Sequence, residues 1–209
     1  MRTNEAILKK IRKALVNRTS VDYLTHDFDK EMFLKSELEP ELEFAEKFIE
    51  NGGEFIFCEN KNDFFSNLND LLSTFSKPQI VYSNEKLEKF ISTVVNQEVQ
   101  DGECVLISEC ELLISKSGTI AISSNQFSER KKITDQNVHV IVAYTSQMVK
   151  EMKAAFTFLR GKYKRIPSSI LFISGPSKTS DIEQKTVVGV HGAKSLYLFL
   201  IDNTQNGLR

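Results

Sequence analysis

Short apolar runs alternate along this chain with longer stretches in which apolar residues recur every three or four positions. The short runs predict buried strands, and the longer spacing predicts helices with one apolar face. Alternation of the two is typical of a mostly parallel sheet that helices cover on both faces. We therefore predict an α/β fold with three layers, α/β/α, around a mostly parallel sheet.

The pattern becomes regular at Glu41 and ends with an apolar strand near the C-terminus. Asn84 is a typical helix N-cap, and Asn51-Gly52-Gly53 is a typical helix end. Strands are expected over 54–58, 79–82, 104–107, 120–122, 138–143, 170–173 and 196–201. Helices are expected over 42–49, 64–75, 84–95 and 146–159, with one or two helical turns over 108–114.

Residues 1–40 differ from the rest and form an N-terminal helix and arm, whereas residues 41–209 form the α/β domain. The helix has one apolar face and many basic residues opposite it. No aromatic residue anchors that face, so packing on the domain or on a second subunit is favoured over membrane binding. Whether the chain forms a homo-oligomer stays open. The face consists of Ile7, Leu8, Ile11, Leu15 and Val16.

Charge and cysteine content narrow the class of protein. A formal charge of −1 gives no electrostatic reason to expect a nucleic acid or a membrane as partner. The three cysteines, Cys58, Cys104 and Cys110, have no metal-ligand spacing. They are too few for the four thiolates that an iron–sulfur cluster usually needs. A polar N-terminus and the lack of a long apolar run predict a cytoplasmic protein without membrane insertion.

Three loops rich in glycine and hydroxyl residues, 115–119, 174–179 and 189–192, are the candidate ligand site. The second of them follows a predicted strand and leads to Ser180-Asp181-Ile182-Glu183, which fits a capping box. Backbone N–H groups at such a helix start can bind an anion. The residues expected to bind a ligand are Ser117, Gly118, Thr119, Ser174, Gly175, Ser177, Lys178, Thr179, Asp181, Glu183, Gly189 and Gly192.

Several of these residues have a structural explanation as well. Glu183 can complete the capping box, and Asp181 suits the helix dipole, so catalysis by either is the less favoured alternative. His191 lies between two glycines and is the candidate acid/base, although a tight turn could also hold its ring by backbone contacts. His139 lies inside a strand, and we expect it to be structural. Glu109 and Glu111 precede the first loop, and their role stays open.

Common sequence fingerprints are missing. Neither G-x-G-x-x-G nor the P-loop pattern occurs in the sequence, so a nucleotide site has no support. The nucleophile elbow G-x-S-x-G is also missing, which leaves a hydrolase without support. No metal site is predicted in this chain.

Four motifs follow one another along the chain: SGTIAISS from Ser117, VHVIVAYTSQMV from Val138, PSSILFISGPSKTSDIE from Pro167 and VVGVHGAKSLYLFLID from Val187. Their order resembles the LUD-domain family, in particular its lactate-utilisation protein C (LutC/YkgG) branch. The resemblance covers roughly residues 40–202. This chain has Ser117 where the family often has Thr, and Ala193 where it often has Pro.

The resemblance implies a fold like the ribose-phosphate isomerase, glucosamine-phosphate deaminase and CoA-transferase group (NagB/RpiA/CoA-transferase-like). It also implies a role in oxidising L-lactate to pyruvate together with two partner subunits. Iron–sulfur clusters are then expected in the partners and no cofactor in this chain, which would take a small anionic ligand. Two alternatives stay open. One is a stand-alone enzyme or binding protein for a small phosphorylated, CoA-linked or carboxylate ligand, and the other is a scaffold that docks through its N-terminal helix.

Overall fold

The computed structural model describes residues 38–95, 102–128, 136–179, 187–188 and 192–203. The helices in these ranges are α1 (Pro40–Glu50), α2 (Lys61–Ser73), α3 (Glu85–Ser92) and α4 (Met152–Lys162). The strands are β1 (Glu54–Cys58), β2 (Gln79–Tyr82), β3 (Cys104–Glu109), β4 (Leu112–Ile114), β5 (Thr119–Ser123), β6 (Val138–Tyr144), β7 (Met148–Val149), β8 (Ile170–Ile173), β9 (Lys178–Thr179), β10 (Val187–Val188) and β11 (Ser195–Ile201). None of these helices is long and apolar enough to cross a bilayer.

Five of the strands form a central sheet in the order β1-β11-β6-β3-β2. Every neighbouring pair in this sheet is parallel. This confirms the predicted α/β fold with a mostly parallel sheet. A second, mixed sheet has the order β7-β4-β5-β8, and β9 pairs with β10 in an antiparallel ribbon. Two strands of the second sheet, β5 and β8, were predicted as strands, but the sheet itself was not, because local patterns do not show which strands pair.

Two apolar cores cover the two faces of the central sheet. On one face, α2 and α3 pack through Phe64, Leu68 and Ile91 against β3, β6 and β11. On the other face, Phe44 and Phe48 of α1 and the buried residues of the second sheet cover the same strands. A third core joins the second sheet to α4. The second sheet therefore forms part of the layer on which the candidate loops lie.

Residues 108–114 do not form the one or two helical turns that the sequence predicts. β3 continues to Glu109, and β4 begins at Leu112 and pairs with β5 in an antiparallel ladder. Leu112, Leu113 and Ile114 are all buried. A fully buried apolar run has no alternation, so its periodicity does not distinguish a strand from a helix.

The helix predicted from Ser146 is also wrong at its start, since α4 begins only at Met152. A 3₁₀ turn over Thr145–Gln147 and the short β7 come first. Gln147 holds this turn, because its side chain accepts a hydrogen bond from Tyr144 N at 2.7 Å and donates one to Cys110 O at 2.7 Å. Tertiary contacts therefore override the local apolar pattern.

Asn84 caps α3, as predicted, and also joins that helix to the sheet. Its Oδ1 accepts from Leu87 N at 3.0 Å. Its Nδ2 lies 3.3 Å from Glu109 Oε2 and 3.2 Å from Gln126 O. Asn60 caps α2 through local bonds alone, from Asn62 N and Asp63 N.

We therefore expect Asn84→Ala to lower the free energy of unfolding by about 2 kcal/mol and Asn60→Ala by about 1 kcal/mol. Urea denaturation of both variants measures the difference. Equal losses would show that the bonds from Asn84 Nδ2 contribute nothing to stability.

Candidate functional site

A chain of hydroxyl groups joins two of the candidate loops. Ser117 Oγ lies 2.7 Å from Thr119 Oγ1, which lies 2.8 Å from Ser174 Oγ. The end of the third loop lies at the second loop, since Ser177 N donates at 2.9 Å to the carbonyl of Ala193, the residue after Gly192. The described parts of all three predicted loops therefore lie together, although they are distant in sequence.

Two glycines of these loops lie against the backbone at the end of α1. Gly118 has a φ of +58°, and a Cβ there would lie 2.4 Å from Phe48 N. A Cβ on Gly175 would lie 2.5 Å from Asn51 O. Asn51 Nδ2 in turn donates to Ser117 O at 3.3 Å. Close packing on α1 is therefore a sufficient reason for both glycines, and ligand binding by them stays a prediction.

A cavity of about 260 Å³ lies beside these loops. The cavity borders the first residues of β6 and the residues just before β11. It therefore lies at the amino-terminal ends of these two parallel strands. The predicted residues Ser174, Gly175, Ser177 and Gly192 line it, whereas Ser117, Gly118 and Thr119 are not among its described lining residues. The other described lining residues are His139, Phe172, Ile173, Ala193 and Leu196.

His139 is the histidine among the described residues that line this cavity, and it is 2% exposed. Its Nε2 lies 2.7 Å from the Oγ of Ser108, which is also buried. Burial lowers the pKa of His139 to about 4, so the ring is neutral at neutral pH. Sequence reasoning assigned this residue a structural role. The signal in the sequence that could have indicated a site here is a single polar ring, that of His139, in an otherwise apolar strand.

Part of the predicted site lies outside the described residues. Asp181, Glu183, Gly189 and His191 belong to this part, as does the proposed helix start at Ser180. The backbone of Lys178 and Thr179 forms β9 and pairs with β10. The roles assigned to these residues therefore stay predictions.

A second polar cluster is centred on Glu111, which is 2% exposed. Its Oε1 accepts hydrogen bonds from Ser123 Oγ and Tyr163 OH, both at 2.5 Å. Lys162 Nζ donates to Oε2 at 2.6 Å. Burial by itself would raise the pKa of Glu111, but the bonds from Lys162, Ser123 and Tyr163 outweigh it and hold that pKa below its ordinary value. The cluster ties the end of α4 to the second sheet, which is a structural role.

The described residues do not converge on a metal. In the described ranges, no group of three or more His, Cys, Asp or Glu side chains could hold an ion. Cys58 packs in the core on the α2 face of the central sheet, and Cys110 packs on the α1 face. Because the sheet separates these two thiols, they do not fit a shared iron–sulfur cluster.

Part of the chain is similar in sequence to known proteins. Lactate utilization protein C of Anoxybacillus flavithermus is 34% identical over 93 residues, which are 44% of this chain and 41% of that protein. The protein of the same name from Bacillus subtilis is 31% identical over 100 residues, 46% of this chain and 42% of its own length. The alignments therefore span less than half of these relatives.

The fold also has a solved counterpart. A crystal structure of a DUF162 family protein from Deinococcus radiodurans matches with a TM-score of 0.54 and 13% identity. The match covers 80% of this chain and 99% of that one, and it shows a shared fold. A sequence model of the LUD domain matches residues 96–201, about half of the 209 residues. These residues contain β3, β6, β11 and every described residue that lines the cavity. This chain belongs to the LUD domain family.

Proposed function

We propose that this chain takes part in the use of L-lactate, as a subunit of a system that oxidises lactate to pyruvate. The observation behind the proposal is the position of the cavity. Its described lining lies wholly within the part that matches the family, and similar proteins bear the name lactate utilization protein C. The subunit would bind the small acid.

The chemistry of the cavity favours a small carboxylate over a phosphorylated ligand. Ligand cavities for larger molecules measure about 300–1,000 Å³, and this cavity lies below that range. Among its described lining residues there is no Lys or Arg, the side chains that most often bind phosphate. Ser174, Ser177 and His139 offer neutral polar groups, and Phe172 and Leu196 offer apolar contact for a methyl group.

The electron acceptor would belong to other proteins of the system. Oxidation of lactate to pyruvate releases two electrons and two protons, so an acceptor is required. Two of the three thiols, those of Cys58 and Cys110, lie on opposite faces of the sheet. We therefore place the iron–sulfur clusters in partner subunits, to which this chain would present its ligand.

The test is an add-back assay in extracts of a host strain that lacks this chain. We expect L-lactate-dependent dye reduction to fall to background in the extract and to return when the purified full chain is added. Reduction driven by NADH is the control and should not change. Lactate-dependent reduction that is equal with and without the chain would contradict the proposal.

A further inference from the structure

We propose that His139 forms a polar end of the cavity, that its Nδ1 contacts the C2 oxygen of a 2-hydroxy or 2-oxo acid, and that Ser108, behind it, positions the ring. This inference rests on the proposed function and extends it, because it assigns the group that contacts the ligand. It also differs from the structural role that the position of His139 within a strand predicts.

The geometry places one ring nitrogen in a bond and leaves the other for a ligand. Ser108 Oγ lies 2.7 Å from His139 Nε2, and it is the one hydrogen-bond partner that the described residues give this ring. Both residues are buried, yet the His139 ring borders the cavity. Nδ1 has no hydrogen-bond partner among the described residues, so contact with a ligand or a water would be favourable.

The pair can match either oxidation level of the ligand. A serine hydroxyl can donate or accept, and a neutral imidazole has one donor and one acceptor nitrogen. When Ser108 accepts from Nε2–H, Nδ1 is an acceptor and suits the hydroxyl of lactate. When Ser108 donates to Nε2, Nδ1–H is a donor and suits the carbonyl of pyruvate. The low pKa of His139, near 4, keeps the ring neutral in both cases.

The surroundings of the ring favour a short ligand. Leu196 of β11 lies beside His139 in the sheet, and Phe172 and Ala193 also line the cavity. These side chains suit the methyl group of a three-carbon acid. Ser174 and Ser177 lie on the loop side of the cavity, where their hydroxyl groups would meet the carboxylate.

The experiment is a titration of the ¹⁵N-histidine-labelled full chain with L-lactate and, separately, with pyruvate, followed by NMR of the imidazole nitrogens. The chain has three histidines, so His139→Gln assigns the signal. We expect the Nδ1 signal of His139 to move toward the acceptor form with lactate and toward the donor form with pyruvate. Binding of either acid with no change at His139 would overturn the inference and leave the proposed function intact.

Variants separate ligand contact from folding. Ser108→Ala and His139→Gln should each weaken binding of both acids on the order of tenfold. Ser108→Thr keeps the hydroxyl and should retain binding. Ala193→Leu reduces the volume of the cavity and leaves the histidine in the sequence, and it should abolish binding, which keeps the test decisive if His139→Gln does not fold. Ser124→Ala, at a half-buried serine that is not among the described lining residues, is the matched control and should bind as the unchanged chain does.

Two further outcomes would overturn the inference. One is unchanged affinity in Ser108→Ala and Ala193→Leu, with folding verified by circular dichroism. The other is absence of binding of either acid to the unchanged chain. In that second case the add-back assay decides separately whether the proposed function survives.

Discussion

Replacing Gly118 with alanine is expected to lower the free energy of unfolding by about 2–4 kcal/mol. The residue has a left-handed φ of +58°, which costs any residue with a Cβ. The added atom would also lie 2.4 Å from Phe48 N and 2.6 Å from the carbonyl carbon of Lys47, and backbone within a helix cannot move aside cheaply. Ser115, in the same turn, donates to Glu43 Oε2 of α1 at 2.8 Å, so the loop is fixed to that helix.

Urea denaturation measures the effect, and the slope with denaturant should not change. Gly161→Ala is the control, since a Cβ at that position of α4 would have no atom within 4 Å. That substitution should stabilise the protein by up to about 1 kcal/mol, because alanine favours a helix. If Gly118→Ala were as stable as the unchanged chain, the close packing of this loop on α1 would be wrong.

The second large effect is expected at Glu111. Glu111→Gln keeps the shape of the side chain and removes the charge that Lys162 and the hydroxyls of Ser123 and Tyr163 satisfy. The new amide would bring an N–H₂ donor against groups that donate, so we expect a loss of about 2–3 kcal/mol. Glu151→Gln breaks a more exposed ion pair, with Lys116 at 3.4 Å, and should cost less than about 1 kcal/mol.

The contribution of Glu111 should also depend on pH. Its pKa is lower in the folded chain than in the unfolded chain, because the bonds from its three donors outweigh the effect of burial. The stabilisation is therefore complete above the unfolded pKa of about 4.3 and is lost as the pH falls through the lower folded value. Glu111→Gln should remove this part of the acid destabilisation, as thermal melts at several acidic pH values would show. If the difference in melting temperature between the unchanged chain and Glu111→Gln did not change with pH, this prediction would be wrong.

Local patterns predicted most of the fold because residues close in sequence specify most of its helices and strands. The apolar runs at β6 and β11 and the cap at Asn84 each specify their element through nearby residues. Prediction failed at β4 and at the start of α4. Both lie at the second sheet, where burial on every side or a capping glutamine, Gln147, determines the conformation.

The candidate site was predicted in part for a similar reason. Glycines and hydroxyl residues mark loops, so Ser117, Ser174 and Gly192 could be selected from the sequence. The sequence does not show which of them pack on α1 and which border a cavity. His139 was given a structural role because a strand position by itself does not reveal whether its side chain borders packed core or a cavity.

The sequence by itself determined the class of fold, the positions of its principal strands along the chain and the family resemblance, since each follows from local periodicity or from contiguous motifs. The tertiary structure decided that α1 lies against the turns at Gly118 and Gly175, and that Ser108 lies at His139. It also decided that Glu111 is a satisfied structural carboxylate. These are contacts between residues far apart in the chain, and they exist only when the sheets have brought those residues together.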